Sequence, residues 1–147
     1  MEAGFVVKSM FFDSAAVKSS VDRADRKVLS KFGAFVRTAS RHSIRKRRRA
    51  SRPGEPPSSH AGLLRRFIWF GYDRERHSVV IGPMKLNQKV GNAPEALEYG
   101  GVSVVVEGLR RRRRKRKVKI RARPYMGPAF EQEKPKLPQM WRDSVKQ

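Results

Sequence analysis

Asp13-Ser-Ala-Ala-Val-Lys-Ser-Ser-Val-Asp-Arg-Ala-Asp-Arg-Lys-Val-Leu-Ser-Lys-Phe-Gly-Ala-Phe-Val-Arg-Thr-Ala39 places apolar residues at Val17, Val21, Ala24, Val28, Phe32, Phe35 and Ala39. The steps of three and four trace one face of an α-helix. Asp13 and Ser14 supply N-cap chemistry, and Asp22 stands four residues before Arg26 on the polar side. A helix over 13–44 is therefore predicted, roughly 45 Å long at about 1.5 Å per residue. Its stripe needs an apolar surface to bury against. Two uses are open for such a length: ordinary packing, or a basic C-terminal end that projects toward a partner.

The surface for that stripe comes from a second pattern. In Lys117-Val-Lys-Ile-Arg-Ala-Arg123 apolar and basic residues alternate, the signature of a strand with one buried face. Val118, Ile120 and Ala122 point to a core, while Lys117, Lys119, Arg121 and Arg123 line the other face. Earlier strands are read at Arg66–Gly71 and Ser78–Gly82, joined by the polar turn Tyr72–His77, and at Val102–Glu107. Ala93–Tyr99 reads as a short helix capped by Asn92, with Pro94 in its first turn and Gly100 at its end. Gly127-Pro128 opens a C-terminal helical segment whose buried side is Phe130, Leu137, Met140, Trp141 and Val145, interrupted by Pro135 and Pro138. The expected fold class is α+β: an antiparallel sheet of about four strands, covered by the N-terminal helix and the C-terminal segment. One domain is expected over 1–147: the helix 13–44, a basic, Pro-rich loop or arm 45–62, the sheet 63–123 and the helical tail 124–147.

Charge bounds the partners. The chain of 147 residues carries 35 Lys and Arg against 13 Asp and Glu, a net charge of +22. Two runs concentrate it: Arg45, Lys46, Arg47, Arg48 and Arg49, then Arg110, Arg111, Arg112, Arg113, Arg114, Lys115, Arg116 and Lys117. Such a field calls for a polyanionic neighbour, nucleic acid or an acidic protein surface, and does not specify a fold. Arg110–Arg116 of the second run is placed in the connection between the last two strands, where like charges repel unless a partner neutralises them. Contact through phosphate alone is expected, since the run holds no Asn or Gln to read base edges.

Catalytic chemistry is not evident. There is no Cys, and His42, His60 and His77 lack the paired spacing of a metal motif. A Walker-type phosphate loop is absent. Glu55, Glu95, Glu98 and Glu107 form no recognisable acid/base set. No cofactor and no enzymatic activity are expected. Met1–Phe12 lacks the basic start of a signal peptide, and no stretch approaches transmembrane length, so no membrane partner is expected.

Three further stretches follow in order. The first contains Pro53-Gly54-Glu55-Pro56-Pro57 and leads through Ala61-Gly62 into Leu63-Leu64-Arg65-Arg66-Phe67-Ile68. The second is Ala96-Leu-Glu-Tyr-Gly-Gly101, and the third is Ala122-Arg-Pro-Tyr-Met-Gly-Pro-Ala-Phe-Glu131. Together they resemble the small neck and tail-completion proteins of tailed bacteriophages, the head–tail joining and minor tail family, with Ala61 where Thr is common. The interrupted tail departs from the longer helix frequent in that family. The resemblance implies a virion structural protein at the head–tail junction, made in the host cytoplasm. It would form a homo-oligomeric ring between the connector or adaptor proteins and the tail tube or terminator, with basic loops facing packaged DNA or acidic neighbours. Pro53, Gly54, Pro56, Pro57, Gly62, Glu98, Gly100, Gly101, Arg123, Pro124 and Pro128 would then serve structure and assembly. Arg123 is either paired with a neighbouring subunit's carboxylate, Glu98 being a candidate, or solvated. The competing expectation is a nucleic-acid-binding protein outside any virion, for example ribosome-associated. It lacks support from a ribonucleoprotein aromatic motif, a recognition helix or a zinc finger.

Overall fold

The computed structural model describes residues 13–84, 93–107 and 114–145. Helix α1 runs from Ser14 to Ser43, and the Asp13 carboxylate accepts from the Ala16 amide, as the N-cap reading requires. Two antiparallel hairpins follow. β1 (Ile68–Asp73) pairs with β2 (Ser78–Pro83) after a single turn of helix, α2 (Leu63–Arg66). The short helix α3 (Ala93–Tyr99) leads into β3 (Gly101–Glu107), which pairs with β4 (Arg114–Ile120). Asn92, the expected cap of α3, lies outside the described residues. The tail is α4 (Met126–Glu133), a 3-10 turn at Lys134–Lys136 and α5 (Leu137–Val145). Pro135 falls in the 3-10 turn and divides the tail, whereas Pro138 sits in the first turn of α5 and interrupts nothing.

The α+β class and the four antiparallel strands are present, but the strands form two separate two-stranded ladders, not one sheet. Each hairpin is held by its own helix. The first packs on α1, and β3 of the second packs on α3. An isolated hairpin is marginal in water, so a helix against each is the physical requirement. Gly100 and Gly101, at φ 80° and 140°, turn the chain between α3 and β3.

Among the described residues two apolar clusters make the core. Phe32, Val36 and Ala129 are buried with Val79, Ile81, Met126, Leu137 and Met140 around them, so α1 lies between the first hairpin and the tail. Phe130 meets Phe32 edge to face with ring centres 5.7 Å apart, while remaining partly exposed. Gly33 is where α1 and the hairpin approach most closely: a Cβ there would stand 2.7 Å from Val79 Cγ2 and 2.9 Å from Phe70 Cδ2. Ile44, Ile68 and Tyr125 form the second cluster with Leu64, Leu97 and Met126.

The stripe on α1 is corrected in two respects. Val28 and Phe32 are buried as expected, but the next core residue is Val36, and Phe35 is 39% exposed. Among the described residues no core cluster takes in Val17 or Val21, which are 46% and 51% exposed. Among those residues it is the N-terminal end of α1, and not the C-terminal one, that stands clear of the core. The basic C-terminal end is anchored through buried Ser40 and Ile44.

Candidate polyanion-binding face and motif junction

The three stretches that carry the family resemblance meet in space. The Gly54 amide donates to the Ala122 carbonyl (2.9 Å), and Arg123 Nε donates to the Ser51 carbonyl (3.1 Å). The Arg123 amide donates to the Leu97 carbonyl at 2.6 Å. Glu98 completes the junction: its Oε2 accepts from the Tyr125 and Met126 amides at 2.8 and 3.0 Å, and its Oε1 from Gly127 at 2.8 Å. Three free N–H groups at the start of α4 are satisfied by one carboxylate, which the helix dipole also favours. Arg123 and Glu98 are therefore occupied within the chain, on different partners. Arg123, half-buried and bonded through Nε, is thus not simply the solvated side chain that one of the two readings made it.

The other structural residues fall around this junction. Gly54 and Gly62 take φ 84° and 74°. Pro57 is buried, Pro56 and Pro124 are half-buried, and Pro53 and Pro128 are exposed. Gly100 faces the chain after β4, where a Cβ would lie 3.3 Å from the Ala122 amide nitrogen. Tyr125, buried at the centre, has its phenol pKa raised, first by burial and second by the Glu98 charge.

The segment 45–62 is tied to the body and is not a free arm. Arg45 bridges to Ser58, the Ser59 amide donates to the Arg45 carbonyl at 3.0 Å, and His60 Nδ1 lies 3.1 Å from the Arg47 carbonyl. The side chains of Arg45, Lys46, Arg47, Arg48 and Arg49 remain exposed. An open cavity of about 350 Å3 lies beside them, lined by His42, Ser43, Arg45, Arg47, Glu55, Pro56 and Ser58.

The second basic run divides. Arg110, Arg111, Arg112 and Arg113 lie outside the described residues. Arg114, Lys115, Arg116 and Lys117 belong to β4 itself, and not to the connection in which the sequence reading placed them up to Arg116. The β3–β4 register sorts them by face. Lys119 opposes Val102, Lys117 opposes Val104, and Lys115 opposes Val106. Directly opposed residues share a face, so the three lysines form one row along β4. Arg114 and Arg116 alternate to the other face, which Val118 and Ile120 continue as partly buried residues and which carries buried Ser103. The alternation read from the sequence is correct for 117–120. Arg123, placed there among the solvated cations, is half-buried.

Two features were not anticipated from sequence. Arg37 Nε donates to the Ile68 carbonyl at 2.8 Å, and its guanidinium lies 5.1 Å from the Trp69 ring centre, tying α1 to the start of β1. His77, at φ 45°, places Nδ1 3.3 Å from an Asp25 carboxylate oxygen and 3.9 Å from one of Asp22. These three donors lie within 4.8 Å of one another and are the one grouping among the described residues with ligand types suited to a metal ion. No spacing in the sequence signals it, because His77 comes from a turn more than fifty residues away. As they stand, the groups clasp the first hairpin's turn to α1. Among the described residues no helix is long and apolar enough to cross a membrane.

Comparison with protein-family models, curated proteins and solved structures finds no match in any of the three.

Proposed function

We propose that this chain is a structural protein of a tailed phage. It acts at the head–tail junction as a neck or tail-completion component, in a homo-oligomeric ring that joins connector to tail. Its function is assembly and not turnover, and its basic segments face DNA or acidic neighbours. The observation that carries this reading is the junction of Ser51–Gly54, Leu97–Gly100 and Ala122–Gly127. Chance likenesses scattered over a chain have no reason to meet. Here the third stretch bonds to both of the others, with Gly54, Glu98 and Arg123 among the residues that do the bonding. A ring needs a heterologous interface whose rotation closes. The exposed Val17 and Val21 on the N-terminal half of α1, and the hairpin edges that are unpaired among the described residues, offer surfaces for one.

The test is light scattering and negative-stain microscopy of the purified chain, with labelled copies located on tailed particles. Closed rings and label at the junction are expected. The second reading, a nucleic-acid-binding protein outside any virion, rests on the exposed cations. A monomer that co-purifies with RNA and leaves tailed particles unlabelled would select it.

A further inference from the structure

The outward face of the second hairpin is a row of point charges on a rigid ladder. Lys115, Lys117 and Lys119 are exposed and occupy alternate positions of β4, and Lys117 and Lys119 share a face with Val104 and Val102, which they oppose. Strand residues rise about 3.3–3.4 Å, so successive lysines are spaced about 6.7 Å apart. One strand of duplex DNA presents a phosphate per 3.4 Å of helix axis, and because successive phosphates also wind about that axis they stand roughly 7 Å apart through space, so the row is spaced like consecutive phosphates of one strand.

We propose that this face is a docking strip for the phosphate backbone of duplex DNA, with each of the three lysines neutralising one phosphate. The inference rests on the proposed place beside packaged DNA and goes beyond it. It assigns the contact to a strand face and chooses phosphate over an acidic protein surface. Three features of the strip carry the choice. Its charges repeat linearly, and a nucleic-acid backbone offers that repeat over its whole length, whereas carboxylates on a folded partner hold it only along a single strand. Its cations are all lysines, compact ammonium charges without the planar fork that reads a guanine edge. The described strip side chains, Val102, Val104 and the three lysines, include no aromatic ring, so it lacks the platform on which unpaired bases stack. Val102, largely exposed opposite Lys119, gives the lysine stem an apolar bed that leaves its ammonium group at the surface.

The test is a fluorescence-anisotropy titration of the full chain with two duplexes of unrelated sequence, from 50 to 200 mM salt. The variant carries Lys115→Gln, Lys117→Gln and Lys119→Gln. A control with Lys18→Gln, Arg26→Gln and Lys31→Gln removes equal charge from exposed positions of α1. The strip variant should lower the slope of log affinity against log salt by about 2.7, equally for both duplexes. The wild type should then lose roughly forty-fold more affinity across that range than the strip variant. The control should change the slope by less than about 1. An unchanged slope in the strip variant, or an equal change in the control, overturns the proposal. So does a preference for single strands or for polyglutamate over duplex. If the triple variant melts early by circular dichroism, Lys117→Gln and Lys119→Gln are measured singly, each expected to lower the slope by about 0.9. Oligomeric state is scored in parallel. Rings with an unaltered salt slope sink the strip and leave the junction reading standing; a monomer with the predicted slope change does the reverse.

Discussion

Glu98 binds three consecutive amides at the start of α4 with one carboxylate, and its removal leaves those donors without their partner. Hydrogen bonds to a charged acceptor are each worth about 1.5–3 kcal/mol, with strong overlap among three on one group. Glu98→Ala is expected to lower unfolding free energy by about 2–3 kcal/mol in urea titration, and Glu98→Gln by about half as much. Equal stability of Glu98→Ala and wild type would remove the carboxylate from its anchoring role. Tyr125 beside it gives a pH signature. Its phenol pKa is raised in the folded chain, by burial first and by Glu98 second. The neutral phenol therefore contributes stability that is fully present below the unfolded pKa of about 10 and is lost as pH rises above it. Tyr125→Phe should flatten the fall in melting temperature above pH 10 while leaving the neutral-pH profile shape unchanged. A variant that declines as steeply as the wild type would assign the alkaline loss to other groups.

Within α1, burial divides a helix that its apolar pattern makes look uniform. Val28 and Phe32 are 2% exposed, Phe32 in the cluster between the first hairpin and the tail, whereas Val17 and Val21 are about half exposed. Val28→Asp or Phe32→Asp places a charge among apolar groups and should abolish folding, read as loss of soluble expression and of a cooperative melt. Val17→Asp and Val21→Asp should shift the isolated chain's stability by no more than about 0.5 kcal/mol. Lys31→Ala, at an exposed position, belongs with that tolerant pair. Uniform sensitivity along the helix would mean that its first half is also packed. If the exposed half serves assembly, Val17→Asp and Val21→Asp will spare the monomer's melt and break the ring. That separates an interface role from a folding role. Gly33 works in the opposite direction. Gly33→Ala drives a methyl into Val79 and Phe70 and should cost about 1–3 kcal/mol, despite alanine's better helix propensity.

Over the whole molecule the net charge of +22 opposes compaction. Among the described residues much of it sits at exposed positions on two segments, Arg45–Arg49 and β4, so the repulsion is screened readily by added salt. Raising salt from 50 to 500 mM should stabilise the isolated chain by about 1 kcal/mol, seen as a rise of about 2–4 °C in melting temperature. Over the same range any phosphate contact weakens. Opposite salt dependences of folding and of DNA binding are thus expected from one charge distribution. A melting temperature that falls with salt would mean that attractive ion pairs dominate the folded state.

The sequence by itself determined the elements: α1 from the stripe at Val28 and Phe32, the last strand from the alternation at Lys117–Ile120, and the turn at Gly100-Gly101. These are local properties, because side-chain periodicity and φ preference are written within a few residues of where they act. Charge, too, was fully legible, since it is a sum over residues. What only the tertiary structure decided is which surfaces met. Whether Val36 or Phe35 completes the core depends on where the first hairpin and the tail lie around α1. Whether four strands make one sheet or two depends on which helix each hairpin packs against. The joining of Glu98 to the start of α4, of Arg123 to Ser51, and of His77 to Asp22 and Asp25 depends on chain segments remote in sequence. No periodicity records such partners, because they are selected by packing geometry and not by spacing.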